Sequence, residues 1–123
     1  MKIANLTPHE VTIFKTNGEK ITVPTSGFVL RVKENLNITG TLNGIKVGYK
    51  GFDGFSEDDI ERLNKYLEEN DIVIVSALVA KHIKMNYLRE LNNIARLYFI
   101  GNTIRDDSGK VVGADVLCPV TLI

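Results

Sequence analysis

Short runs that alternate apolar and polar positions fill the first half of the chain, with turn signals between them. Glu10 to Lys15 and Lys20 to Pro24 flank Asn17-Gly18, and because both of those residues tolerate positive φ the spacing predicts a β-hairpin. A second hairpin is expected at Asn43-Gly44, pairing Ile38 to Leu42 with Ile45 to Tyr49. Phe28 to Val32 reads as a further strand, so the region to about residue 52 is expected to form an antiparallel sheet with glycine-rich bends.

The period changes at Ser56. Ser-Glu-Asp-Asp has the form of an N-cap followed by acids that complement the helix dipole, and Ile60, Leu63 and Leu67 then recur at helical spacing, predicting a helix over 57 to 69. Ile72 to Val75 is a continuous β-branched run of the kind buried on both faces of a sheet. Ser76 is placed to cap a second helix. Val79, Ile83, Tyr87, Leu91 and Ile94 extend it to about 92, with Asn92-Asn93 as its stop. Leu97 to Ile100 completes a strand, helix, strand unit. Asp107-Ser108-Gly109-Lys110 then joins Thr103 to Asp106 with Val111 to Val116. The pattern predicts an α+β fold, a mainly antiparallel β core decorated by two α-helices, in a single domain over 1–123.

Composition narrows the functional classes. Fifteen basic and fifteen acidic residues give zero net charge, which argues against a protein that coats a nucleic acid polymer or adheres to anionic membranes. A single cysteine, Cys118, leaves no disulfide framework and suits a reducing compartment. The opening Met1-Lys2-Ile3-Ala4-Asn5-Leu6 is too short and polar for a signal peptide, and no apolar run approaches the ~20 residues of a membrane span. The expectation is a cytosolic protein.

Candidate chemistry is sparse. His9 and His82 have no spacing typical of a metal site, so neither a metal nor a cofactor is expected. Cys118, in an apolar run before Pro119, reads as a structural thiol; a nucleophilic pair with a histidine is the alternative. Gly-rich phosphate loops and nucleophile elbows are missing. No catalytic residue is assigned, and binding is favoured over catalysis.

Charge, by contrast, is divided along the chain. Between 56 and 71 seven acids face Arg62 and Lys65, whereas between 81 and 110 six bases face Glu90, Asp106 and Asp107. On one continuous helix, Lys81, Lys84, Arg89, Asn92 and Arg96 share an arc opposite the apolar stripe, a basic side open to an anion or simply to solvent. Arg105, followed by Asp106, can fork onto a phosphate while the carboxylate orients it or accepts ribose hydroxyls; a plain surface pair is the alternative. Asn92 and Asn102 offer amides for a base edge, Phe99 a stacking surface, and His82 and Lys81 complete the candidate ligand set.

Asn5-Leu6-Thr7-Pro8-His9, together with Ile104-Arg105-Asp106-Asp107-Ser108-Gly109-Lys110-Val111-Val112-Gly113, resembles a group of short phage and prophage proteins. Pro24, Ser26-Gly27, Arg31 and Ile74-Val75-Ser76 also have counterparts there. Within that group the chain is similar to the Thoeris anti-defence protein 1 family. The resemblance implies a sponge in the host cytoplasm, binding and sequestering cyclic ADP-ribose-type signals made by TIR enzymes without cleaving them. It further implies a homo-oligomer, dimer or higher, with pockets near subunit boundaries, and it carries over best at Arg105 and Asp106. A small nucleotide-hydrolysing enzyme using Asp106 or His82, and a structural or adaptor virion protein, are the competing expectations.

Overall fold

The computed structural model describes Met1–Ile123. Eight strands are β1 (Ile3–Asn5), β2 (Val11–Phe14), β3 (Lys20–Val23), β4 (Glu34–Leu42), β5 (Ile45–Phe52), β6 (Ile72–Val75), β7 (Leu97–Arg105) and β8 (Val111–Pro119). Two α-helices, α1 (Glu57–Glu69) and α2 (Ala77–Asn86), join them in an α+β fold. Six strands form one mixed sheet in the order β1-β6-β7-β8-β2-β3, and β4 and β5 form a separate two-stranded ribbon. No helix is long and apolar enough to cross a membrane.

β6 lies between two parallel neighbours, with Ile3 opposite Ile72 and Val73 opposite Leu97. That position explains its unbroken apolar run: Val73, Ile74 and Val75 are all buried. Val73 and Val75 meet Leu63 and Leu67 of α1 and Val79, Ala80 and Ile83 of α2 in a single core cluster. Both helix starts are held by serine side chains, Ser56 accepting from the Asp59 amide at 3.0 Å and Ser76 from the Val79 amide at 3.3 Å.

The sheet bends until its two outermost strands meet. Asn5 of β1 is fully buried, and its Nδ2 donates to the carbonyls of His9 at 2.7 Å and Val23 of β3 at 3.2 Å. Its Oδ1 accepts from the Thr7 amide at 3.0 Å and the Thr7 hydroxyl at 2.6 Å. Every hydrogen-bonding position of this amide is occupied, three by the segment that turns from β1 towards β2 and one by the end of β3. The Asn5 to His9 motif is therefore a structural clasp.

Three expectations are corrected. Residues 28–32 do not form a strand; the segment covers the free edge of β1 irregularly, where the amides of Ser26 and Leu30 reach the carbonyls of Asn5 and Leu6. Consequently the first 52 residues do not make one antiparallel sheet: β1 pairs in parallel with β6, and only β2 and β3 among the others join the main sheet. The second helix stops at Asn86 rather than near 92. A four-residue strand spans ~13 Å and a ten-residue helix ~15 Å, so α2 as observed matches the length of β6, whereas a helix to 92 outruns that strand by about 10 Å. The chain instead makes short 3-10 turns at Leu88–Glu90 and Ile94–Arg96, with Asn93 in the left-handed region at φ 56°.

Candidate functional site

The early end of α2 dismantles the expected basic side. Only Lys81 and Lys84 remain on the helix, and Lys84 Nζ donates to the Thr121 carbonyl at 2.6 Å. Arg96 turns the other way, its Nη1 donating to the carbonyls of Leu67 at 3.0 Å, Glu68 at 3.3 Å and Asn70 at 3.4 Å. Those are the unpaired carbonyls at the end of α1, where a cation also meets the negative pole of the helix. Arg96 is a cap, not a ligand group.

Arg105 stands exposed at the far end of the β7–β8 hairpin, and its Nη1 donates to the Gly109 carbonyl at 2.7 Å, across its own turn. Asp106 does not orient it. Its Oδ1 accepts from the Ser108 hydroxyl at 2.6 Å, the Ser108 amide at 2.9 Å and the Lys110 amide at 3.0 Å. The Ser108 hydroxyl bond first, then the Lys110 amide, hold this carboxyl below its ordinary range. Within one chain the pair forms a closed turn, and neither residue lines any of the larger concavities, so the expectation that the carboxylate orients the guanidinium towards a phosphate is corrected.

The other expected ligand residues are dispersed. Asn102 Nδ2 donates across the hairpin to Asp115 Oδ1 at 2.7 Å. Phe99 packs half-buried against the core. Lys81 is exposed on the outer side of α2, while His82 is buried with its ring 4.1 Å from that of Phe52 and its Nε2 3.7 Å from Glu34 Oε2. His82 Nδ1 is buried without a partner. Asn92 is exposed beside α1, in an open polar cleft with Asn93, Arg62 and Lys65, and its amide donates to Asn64 Oδ1 at 2.8 Å. No cavity brings the seven together.

Two concavities missed by the sequence reading flank α1. In the first, about 500 Å³ in volume, Ser26, Gly27 and Phe28 face Arg62, Lys65, Tyr66 and Glu69. The Phe28 and Tyr66 rings stack at 6.0 Å, and the Arg62 guanidinium lies 4.8 Å over Phe28. The Tyr66 hydroxyl donates to the Ser26 carbonyl at 3.2 Å, fixing the loop to the helix. Asp58 lies 3.9 Å from Arg62 on the exposed side, so the two cations have carboxylates on either flank. The Arg62 to Tyr66 spacing, one helical turn beneath the Ser26-Gly27-Phe28 bend, was the available signal.

The second concavity, also about 500 Å³, is lined by Phe55, Ile60 and Tyr87 and rimmed by Glu57, Glu61 and Glu90. Gly54, at φ 87°, makes the bend that lets the Phe55 amide donate to the Tyr87 hydroxyl at 2.8 Å. A side chain at 54 would meet that hydroxyl.

Histidine, cysteine and carboxylate side chains nowhere gather in a group of three or more able to hold a metal ion. Cys118 is half-buried on β8 opposite Phe99, against Gly101. No family model, curated protein or solved structure matches the chain at a significant level.

Proposed function

We propose that this protein is a non-enzymatic, homo-oligomeric binder that sequesters a small cyclic nucleotide of the cyclic ADP-ribose type in the host cytoplasm, as a phage anti-defence sponge. One observation carries the reading. The concavity of Phe28, Tyr66, Arg62 and Lys65 is the one cavity of the chain where stacked aromatic rings and two cations converge. Its volume of about 500 Å³ lies within the range of small-ligand sites. A pyrophosphate takes the guanidinium and ammonium, and an adenine stacks on the planar Arg62 group or replaces it over Phe28. The resemblance carried by Asn5 to His9 and Ile104 to Gly113 supports the choice of ligand class.

Under this reading Arg105 acts only where a second copy closes a pocket around it. Titration calorimetry with cyclic ADP-ribose isomers tests the assignment: Arg62→Ala weakens binding by about tenfold or more, about 1.4 kcal/mol. Unchanged affinity in that variant sinks it. Ligand recovered in altered form would favour the hydrolase instead.

A second reading, an adaptor or structural component of a virion, is favoured by the exposure of the β4–β5 ribbon, where every residue from 38 to 50 is open to solvent. Copurification with particles, with no nucleotide-induced thermal shift, decides for it.

A further inference from the structure

The ribbon has no core of its own. Leu42, Ile45 and Tyr49 are 64%, 68% and 59% exposed, and an isolated two-stranded hairpin is marginally stable in water. Register places Ile45, Val47 and Tyr49 on one face, with Leu42 opposite Ile45, and Lys46 and Lys50 on the other. The ribbon end is thus an apolar wedge with a lysine beside it.

The hollow of Phe55, Ile60 and Tyr87 has the complementary chemistry, an apolar floor under the carboxylates of Glu57, Glu61 and Glu90. It lies at the base of the same ribbon, since the ring of Phe52, the last residue of β5, is 5.1 Å from Phe55 and 6.4 Å from Tyr87. Eight residues of strand reach about 27 Å, so a chain's own ribbon tip points away from its own hollow.

We infer that two copies exchange arms: the β4–β5 tip of each chain enters the Phe55–Ile60–Tyr87 hollow of the other end-on, with Leu42 and Ile45 on its floor and Lys46, on the other face of the tip, at its glutamate rim. A two-fold axis makes both contacts at once and lays the ribbons side by side, covering Val47 and Tyr49. Zero net charge opposes this association with no long-range repulsion. The inference rests on the homo-oligomer part of the proposed function but uses surfaces separate from the Arg62 concavity.

Light scattering on the full chain, without nucleotide, is the test. The expected mass is twice the chain's 13.7 kDa. Ile45→Asp gives a monomer with unchanged circular dichroism, because residue 45 is exposed within one chain. Lys46→Glu and Glu61→Lys each weaken the dimer by about fivefold or more, and their combination restores it. A wild-type monomer at high micromolar concentration, a dimer indifferent to Ile45→Asp, or a monomer that floats with phosphatidylserine vesicles would overturn the inference. A dimer that binds no nucleotide upholds arm exchange and removes only the capture reading.

Discussion

Asn5 and Val23, on the two outermost strands of the six-stranded sheet, are joined by a hydrogen bond of 3.2 Å from the Asn5 side chain to the Val23 carbonyl. The same amide holds Thr7 and His9, so its removal strands several buried polar groups at once. Each such group costs about 1–3 kcal/mol. Asn5→Ala is expected to lower unfolding free energy by about 3 kcal/mol, read from urea denaturation. A loss below about 1 kcal/mol would show that the clasp is dispensable.

Arg96 gives a second stability prediction. Its guanidinium serves three carbonyls at the end of α1, and hydrogen bonds to a charged group contribute about 1.5–3 kcal/mol. Arg96→Ala should destabilise the fold by about 2 kcal/mol and leave nucleotide affinity unchanged. An affinity loss without destabilisation would show that Arg96 contacts the ligand.

Asp106 supplies a pH dependence. Its folded pKa lies below the ordinary value of 3.8, so the ordering of the Arg105 to Lys110 turn is fully present above that value and is lost as pH falls through the lower folded pKa. The amide resonances of Ser108 and Lys110 should shift together in acid, while those of β6 remain in place. Asp106→Asn should remove the acid transition; its persistence in that variant would assign it to another group.

The ribbon is anchored through Phe52, which packs on His82, Phe55 and Tyr87. Asn35 Nδ2 bonds Asp53 just beyond it. Phe52→Ala is expected to speed hydrogen exchange across 34–52 by about tenfold or more while leaving β6 and β7 protected. Uniform acceleration over all strands would mean that the ribbon is not a separate unit.

Local chemistry made most elements legible. Asn17-Gly18 and Asn43-Gly44 turn the hairpins, Ser56 and Ser76 start the helices, and the Ile72 to Val75 run marks a strand between parallel neighbours. What escaped depends on distant partners. The stop of α2 is set by the length of β6, and the path of residues 28–32 by the edge of β1 that they cover. The candidate ligand residues are dispersed within one chain for the same reason: a helix wheel put Lys81, Asn92 and Arg96 on one side, but the chain leaves the helix at Asn86 and scatters them. Phe28 and Arg62 meet across 34 positions of sequence, a convergence that periodicity does not reveal.

Under the proposed function the protein captures its ligand without transforming it. Purified protein incubated with a cyclic ADP-ribose isomer, desalted, and then heat-denatured should release that nucleotide intact and in stoichiometric proportion, as read by mass spectrometry. No retained nucleotide, or a hydrolysed product in its place, would contradict the account.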